Sequence, residues 1–263
     1  AAMLIAESGF SFNGKHCRDF GCMWNEDDGR VIVPETLRSE YEIAGRSGTV
    51  LLPGETRRCF NYSGVLTMMQ EPASEQEAQT RLRTLAAWLS AGRCKLAMDY
   101  EPSRYYWAQL DGRQTWTAKD WFAGQLKVKF LCQPWAYAVE ETTQAVVGVS
   151  SESTILGINL ATGQPAPLRL TVTNTGSTAI TGISMGDGVQ LSGLHLAQGQ
   201  SVTLDFEPPI GATFSTGDNA LPFASAFRAI KLRNGNNTLQ MRLTWSGSSG
   251  RSASIVTAAR GRW

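Results

Sequence analysis

The sequence contains very little histidine and almost no net charge. Only two histidines occur in 263 residues, and 24 basic side chains are balanced by 23 acidic ones, for a formal net charge of +1. A chain with so little net charge lacks the strong positive electrostatic field that attracts nucleic acid or an anionic membrane. No apolar run approaches the ~18 residues of a membrane-spanning helix, and Ala1-Ala2-Met3 begins no recognisable signal peptide. We therefore expect neither a nucleic-acid-binding nor a membrane protein.

Cysteine is sparse and irregularly spaced. The five cysteines form no C-x-x-C pair, and the two histidines form no H-x-x-x-H pair. His16, Cys17 and Cys22 are close enough in sequence for zinc to be an alternative, but the spacing of known zinc sites is absent. We expect no metal and no cofactor, and reduced, mostly buried thiols in a protein made in a cytoplasm. The cysteines are Cys17, Cys22, Cys59, Cys94 and Cys132.

Helix signals occur in one stretch only, and they predict a single helix over 74–91. Ser74 and Glu77 form a capping box, S-x-x-E. Gly92 follows where a left-handed residue ends a helix. A sheet must therefore pack on its apolar face, which we expect to contain Ala78, Leu82, Leu85, Ala86 and Leu89.

The remainder of residues 1–138 has the alternation and turn residues of antiparallel strands. Asn13-Gly14, Asp28-Gly29 and Asp111-Gly112 predict hairpin turns. A long strand over 57–69 is expected to bend at Gly64. In 125–133, apolar residues alternate with Lys and Gln, and we expect this strand to lie at an open sheet edge.

Composition changes after residue 138. Tyrosine does not occur in 139–263, while Gly, Ser and Thr become frequent. Short strands at regular spacing predict an antiparallel β-sandwich. Residues 219–263 contain no acidic residue and 139–218 are net acidic, so we expect strands from the two segments to interleave. The predicted strands are 154–160, 167–174, 179–185, 189–195, 200–206, 212–215, 227–233, 237–246 and 252–259.

Two catalytic motifs occur without the scaffold they need. Gly182 to Gly186 match G-x-S-x-G, which requires a strand, a sharp turn and a helix. Here a turn and another strand are expected, so Ser184 is placed in a turn and an esterase is only a remote alternative. Gly9 to Lys15 match a P-loop, but His16 replaces its hydroxyl residue and no helix follows. We expect no catalytic residue and no enzyme.

Four stretches in order resemble the distal tail protein (Dit) of long-tailed phages, the siphophages. The first and second contain Phe12-Asn13-Gly14 with Arg18 to Gly21, and Ile43 to Gly48. The third is the helix end LxxLAAWLSxGR with the following D-x-E-P-x-x-Y-Y, and the fourth is Gly124 to Tyr137. The resemblance implies a mainly β protein: an antiparallel β domain with one packed helix over 1–138, then a galectin-like β-sandwich over 139–263.

The resemblance also implies a structural role in the virion. Such a protein forms a homohexameric ring at the tail tip, or baseplate, after synthesis in the host cytoplasm. The ring joins the major tail tube protein to the tail-tip fibre protein and anchors receptor-binding proteins, while DNA passes through the lumen unbound. We expect the first domain to form the ring, because dense aromatics are typical of interface cores. The candidate interface residues are Phe12, Trp24, Tyr105, Trp107, Trp116 and Trp135.

The main alternative is a carbohydrate-binding two-domain protein. In the second domain the candidate aromatic residues for stacking on a sugar are Trp245 and Trp263. His195 is followed by Leu196 and Ala197, so the galectin sugar pattern His-x-Asn-x-Arg is absent. A shared fold does not carry its function with it.

Overall fold

The chain divides into two compact units, Ala1–Tyr137 (unit 1) and Ala138–Trp263 (unit 2). The computed structural model describes residues 9–26, 31, 33–37, 40–42, 44, 47–51, 56–69, 72–118, 124–186 and 188–263. Strands dominate both units and the described residues contain a single α-helix. The expected fold class, mainly β with one packed helix, is confirmed. No helix among the described residues is long and apolar enough to cross a membrane.

Unit 1 is built on an eight-stranded sheet with strand order β2-β1-β9-β10-β12-β8-β3, in which β11 also pairs with β12. Two small strand pairs, β4 with β7 and β5 with β6, accompany it. The predicted turn Asp28-Gly29 lies outside the described residues, as do Gly45 and Arg46. The elements are β1 (Phe10–Phe12), β2 (Lys15–His16), a 3-10 helix (Cys17–Phe20), β3 (Cys22–Glu26), β4 (Thr36–Leu37), β5 (Glu40–Glu42), β6 (Thr49–Leu51), β7 (Thr56–Arg57), β8 (Phe60–Met68), α1 (Glu75–Leu89), β9 (Cys94–Met98), β10 (Arg104–Leu110), β11 (Trp116–Ala118) and β12 (Gly124–Ala138).

Helix α1 begins at the cap that the sequence predicts. Ser74 is extended, and its Oγ accepts a hydrogen bond from the Glu77 backbone N–H at 3.2 Å. The Glu77 carboxylate accepts from the Ala73 N–H at 2.8 Å, one residue earlier than in a standard capping box. Gly92 is left-handed, with φ 81°, two residues after the C-cap Ser90. Capping chemistry thus sets both ends of the helix.

The buried face of α1 differs from the predicted one by one large residue. Leu85 and Leu89 are buried as expected, but Leu82 is only half-buried and Ala86 is exposed. Trp88, absent from the predicted face, is buried instead. Its indole N–H donates to the Phe12 carbonyl at 2.7 Å. Trp88 therefore joins Leu85 and Leu89 on the buried face of the helix, and Ala86 leaves it.

Strand β12 lies inside the sheet, and the expectation of an open edge is wrong. β12 lies between β10 and β8, and it pairs with β8 in unbroken register from Gln125↔Thr67 to Cys132↔Phe60. Alternating polar residues show that one face of the strand is exposed to solvent. They do not show whether the strand has a neighbour on each side. The Lys and Gln side chains therefore belong to a sheet face, not to an edge.

Asp111-Gly112 does not form a hairpin, although Asn13-Gly14 does. β1 and β2 pair across Asn13-Gly14, both of which have positive φ. In contrast, β11 pairs with β12 rather than with β10. The Asp111 N–H donates to the Lys129 carbonyl of β12 at 2.7 Å. Both β10 and β11 therefore run along β12, and the segment that contains Gly112 only separates them. Pairing with a long existing strand overrides the local turn preference.

Burial decides the chemistry of the thiols in unit 1. All five cysteines are free; three are buried, Cys94 is half-buried and Cys59 is exposed. Desolvation raises the pKa of Cys22 to about 11 and that of Cys132 to about 12. Because a buried thiolate is disfavoured, unit 1 should lose stability above the ordinary thiol pKa of about 8.5, where the unfolded chain releases these protons.

We expect a thiol reagent at neutral pH to modify Cys59 first. The buried Cys17, Cys22 and Cys132 should react only as the protein unfolds, since the reactive form is the accessible thiolate. Peptide mapping after timed labelling measures this order. Cys59→Ser should remove the fast phase, and fast labelling of native Cys132 would contradict the packing described here.

Unit 2 is a β-sandwich of two antiparallel sheets. One has the order β13-β23-β15-β18-β19 with β21 paired to β15, and the other has the order β14-β22-β16-β17-β20. Aliphatic side chains from both sheets form its core. The elements are β13 (Thr142–Val149), β14 (Ser153–Leu160), β15 (Ala166–Asn174), β16 (Ile180–Met185), β17 (Val189–Leu196), β18 (Ser201–Asp205), β19 (Gly211–Phe214), a 3-10 helix (Leu221–Phe223), β20 (Ala224–Phe227), β21 (Lys231–Leu232), β22 (Gly235–Trp245) and β23 (Ala253–Ala259).

The predicted strand 227–233 is in fact two short strands. β20 pairs with β17 in one sheet, and β21 pairs with β15 in the other. The chain between them crosses from one sheet to the other, so a continuous strand is impossible there. All other predicted strands of unit 2 agree with the structure to within two residues.

Strands of the basic and acidic segments interleave as expected. β22 lies between β14 and β16, and β23 lies between β13 and β15. Glu152 forms ion pairs with Arg242 at 3.6 Å and with Arg251 at 3.4 Å. The uneven distribution of charge along the sequence is therefore largely mixed in space.

Candidate assembly surface

The sheet of unit 1 has two unlike faces. On one face α1 covers buried side chains such as Phe12, Leu96 and Phe130. The register pairs Tyr106 with Leu96 and Trp107 with Lys95, and successive side chains of a strand point to opposite faces. Trp107 and Lys95 therefore lie on the face away from the helix. We call this side the aromatic–basic face; its main side chains are Lys95, Tyr105, Trp107, Lys127, Lys129, Trp135 and Tyr137.

The aromatic rings of this face contact one another and nearby cations. Tyr105 meets Trp107 edge-on at 5.7 Å between centroids and stacks on Tyr137 at 5.7 Å. The Lys95 ammonium lies 4.6 Å from the Tyr105 ring centre and 5.9 Å from that of Trp107. Arg93 contributes a further cation 5.5 Å from the Trp107 ring. Each exposed cation–π contact is worth about 0.5–1 kcal/mol, so the cluster is held in place before any partner binds.

Trp135 forms a second aromatic–cation pair. The guanidinium of Arg57 lies 4.8 Å from the Trp135 ring centre, and the ring itself is half-buried. Preordered, partly exposed Trp and Arg side chains are the residue types that dominate the energetics of protein interfaces. Trp135 thus has the chemistry of an interface anchor.

The charge of this face is positive. Lys95, Lys127 and Lys129 are all exposed. Lys129 pairs with Asp111 at 3.2 Å, at the point where the chain leaves β10. Unit 1 as a whole has equal numbers of acidic and basic residues, so the excess of lysine is a property of this face and not of the unit. A neutral or acidic protein surface would complement this one.

The six predicted interface residues divide between the faces. Phe12 and Trp24 are 0% and 1% exposed and belong to the unit's own core, so they have no surface to offer a neighbouring subunit. Trp116 is half-buried on the face of the sheet that the helix covers. Tyr105, Trp107 and Trp135 lie on the aromatic–basic face, where Trp107 and Trp135 are half-buried but Tyr105 is only 4% exposed and packs beneath its neighbours. As interface residues all three stay a prediction.

Trp116 borders an apolar pocket beneath the C-terminal half of α1. The pocket has a volume of about 330 Å³ and is lined by residues that include Leu82, Leu110 and Leu126. The Trp116 ring lies where a Cβ on Gly124 would be, 2.2 Å from it. That close approach explains why glycine begins β12.

The histidine next to Cys17 is already fully engaged. His16 Nδ1 accepts a hydrogen bond from the Arg18 N–H at 3.1 Å, so Nε2 carries the proton and donates to Asp99 at 2.9 Å. The nearest thiol, Cys17, is buried. No group of three His, Cys, Asp or Glu side chains able to hold a metal occurs in the described part of the chain.

Ser184 lies within strand β16 and not in a turn, which corrects the expectation. Its cross-strand neighbours are Gln190 and Arg242, neither of which is a general base at neutral pH. The turn comes after Met185, and another strand follows it. Asp187, the nearest acid in sequence, lies outside the described residues. The motif therefore lacks the strand–turn–helix geometry of a nucleophile elbow.

The two tryptophans of unit 2 do not form an open stacking platform. Trp245 is buried in the sandwich. Trp263 is half-buried, and its ring lies against Gly163 and Gly261, where added Cβ atoms would be 2.7 Å and 2.9 Å from it. The sugar-binding alternative gains no support from them.

Comparison with known proteins gives the fold and no sequence relative. No protein-family profile matches the chain, and neither does any curated protein. The crystal structure of the SPP1 Dit protein (gp 19.1), described as a paradigm of the hub adsorption apparatus in phages that infect Gram-positive bacteria, is similar at a TM-score of 0.69. Identity is 16%, and the match covers 97% of this chain and 99% of that one. A chain of the phage p2 baseplate in its activated conformation with Sr matches at a TM-score of 0.53 and 11% identity, over 96% and 97%. The predicted resemblance to distal tail proteins is confirmed at the level of the fold.

Proposed function

We propose that the chain is a phage distal tail protein: a homohexameric ring in the virion tail tip, made in the host cytoplasm. The observation that carries the proposal is the match to the SPP1 hub protein over nearly the whole of both chains. A likeness confined to the sandwich would be weak, since sandwiches host many functions. Here the likeness extends over both units in the same order.

In this proposal unit 1 builds the ring and unit 2 is an appendage that anchors receptor-binding proteins. The ring joins the tail tube protein to the tail-tip fibre protein, and its lumen lets DNA pass unbound. The aromatic–basic face supports this division, because it places Trp107 and Trp135 beside cations on an exposed sheet. A head-to-tail contact between unlike surfaces makes a ring when its rotation closes, as this proposal requires. No catalytic role is assigned to any residue.

Negative-stain images and native mass spectra of the purified full chain test the proposal. Rings with the mass of six subunits are expected. Chains that stay monomeric alone but form rings when the tail tube protein is added would also agree. A protein that stays monomeric under both conditions would overturn it.

We expect the double variant Lys95→Glu with Trp107→Ala to abolish rings while leaving the protein folded. The change replaces one of the three exposed lysine charges of the face by a negative charge and removes the Trp107 ring, so the interface loses an anchor of the kind worth about 2 kcal/mol or more. Lys231→Glu, the same charge change at an exposed position of unit 2, should leave rings intact. Circular dichroism checks folding, and rings that persist in the double variant would place the subunit contact elsewhere.

A further inference from the structure

One edge of the unit 2 sandwich lacks the features that normally protect a sheet edge. β14 is the first strand of its sheet, and it pairs with β22 alone through eight consecutive residue pairs without a bulge. Its sequence STILGINL has no charge and no proline. Natural edge strands are usually short, charged, bulged or interrupted by proline, because a bare edge invites pairing with another chain.

The other edges of unit 2 do have such protection. β19 and β20 have four residues each, and β20 pairs with β17 through a register shift. β13 is as long as β14, but its register shifts between Val146 and Val149, where Gly148 is left-handed. Among the described strands of this unit, β14 is the long and regular edge.

Hydrogen bonding shows which backbone groups of β14 point away from the sheet. The Leu243 N–H donates to the Glu152 carbonyl at 2.7 Å, just before the strand begins. In an antiparallel pair the bonded positions alternate, so the even-numbered residues of β14 bond to β22. The odd-numbered residues Ile155, Gly157 and Asn159 therefore direct their N–H and C=O groups outward.

The side chains at these three positions leave room for another strand. All three residues are exposed, and Ile155 is 68% exposed. A Cβ added to Gly157 would meet nothing within 4 Å. The alternate residues Leu156, Ile158 and Leu160 are buried in the core and fix the orientation of the strand.

We propose that β14 is a docking edge for β14 of a second copy of this chain, antiparallel about a twofold axis at Gly157. In that register Gly157 meets its own counterpart and Ile155 lies opposite Asn159, each pair exchanging two backbone hydrogen bonds. No like charges are opposed, since Glu152 falls opposite Thr162. The exposed Ile155 side chain is covered, and the two five-stranded sheets join into one. The strand pairing itself concerns unit 2 alone, and only its consequence for assemblies rests on the ring proposed above.

The pairing is expected to be weak for a single pair of chains. One strand pair buries less than the roughly 1,200 Å² at which specific interfaces begin. Copies displayed together on one assembly would bind another assembly far more tightly than single chains do. The contact would thus link two assemblies edge to edge rather than build one.

Disulfide trapping in the full chain tests both contact and register, in a Cys59→Ser background. Gly157→Cys should form an intermolecular disulfide under mild oxidation, because bonded antiparallel pairs have Cα atoms about 5.5 Å apart, within disulfide range. Ile155→Cys alone should not, but mixed with Asn159→Cys it should give the cross-linked heterodimer. Two results would overturn the proposal. One is that Ile155→Cys cross-links with itself as readily as Gly157→Cys does, and the other is that no variant forms a cross-link.

Amide hydrogen exchange at high protein concentration gives a second readout. The amides of Ile155, Gly157 and Asn159 should become protected with rising concentration, and Ile155→Lys should remove that protection. Gln240→Lys, on the neighbouring strand opposite Ile155, keeps the edge intact and should behave like the wild type. Unchanged exchange of these amides up to millimolar concentration contradicts the pairing.

Discussion

Replacing Trp88 by alanine is expected to lower the free energy of unfolding of unit 1 by about 3–5 kcal/mol, the range for large aromatic truncations in a core. Trp88 stacks on Phe20 at 4.3 Å and on Phe10 at 5.6 Å. Its removal also deletes the hydrogen bond from the indole N–H to the Phe12 carbonyl. Domains are commonly stable by only about 5–15 kcal/mol, so the variant should be close to unfolding.

Denaturant titration followed by far-UV circular dichroism measures the loss without relying on Trp fluorescence. Trp88→Phe keeps much of the packing but not the N–H donor, so it should cost less than the alanine change. Ala87→Ser, at the neighbouring exposed position, should change stability by only a few tenths of a kcal/mol. An unaltered midpoint for Trp88→Ala would mean that α1 does not pack through this residue.

Gly64→Ala is expected to destabilise unit 1 by more than the usual ~1–3 kcal/mol of an overpacked core. An added Cβ would lie 2.3 Å from the ring of Trp24 and 2.5 Å from the backbone oxygen of Asn25. Trp24 is fully buried, and Asn25 pairs with β8 across the ladder, so neither can move freely. The strand β3 would have to separate from β8.

The matched control is Gly157→Ala, a strand glycine with open space around its Cβ position. This substitution should leave the stability of the protein unchanged or raise it by roughly 0.4–1 kcal/mol, because alanine lowers the conformational entropy of the unfolded chain. Thermal unfolding of both variants by calorimetry makes the comparison. Equal transition temperatures for Gly64→Ala and the wild type would show that β3 and Trp24 do not pack as described.

Gly64 also illustrates what the sequence could and could not predict. The sequence predicts a bend at Gly64 in a strand over 57–69, whereas what the structure shows at this glycine is the close approach of Trp24. β8 runs unbroken from Phe60 to Met68, and the glycine makes room for Trp24. Local signals were sufficient for the helix cap at Ser74 and for most strands of unit 2. The neighbours of a strand, such as β10 and β8 on either side of β12, could not be predicted, because they depend on residues far away in the sequence.

The candidate site was predictable in part. Tyr105, Tyr106 and Trp107 follow one another in a strand, so alternation alone places the outer two on one face and Tyr106 on the other. The partners of that face were not predictable, because Lys95 reaches Trp107 only through the register of β9 with β10. Aromatic content alone could not separate Phe12 and Trp24 from Trp107, since core and interface use the same residue types.

The position of β23 determines when each unit can fold during synthesis. This strand lies between β13 and β15, so β13 cannot join the sheet and β15 lacks one neighbour until Ala253–Ala259 have been translated. Unit 1 is complete by Tyr137, and chains are extended at about 5–20 residues per second. Unit 1 can therefore begin to fold on the ribosome several seconds before the sandwich of unit 2 can be completed. During that interval the edge of β15 that will pair with β23 is open, and slower translation after residue 138 would keep it open longer.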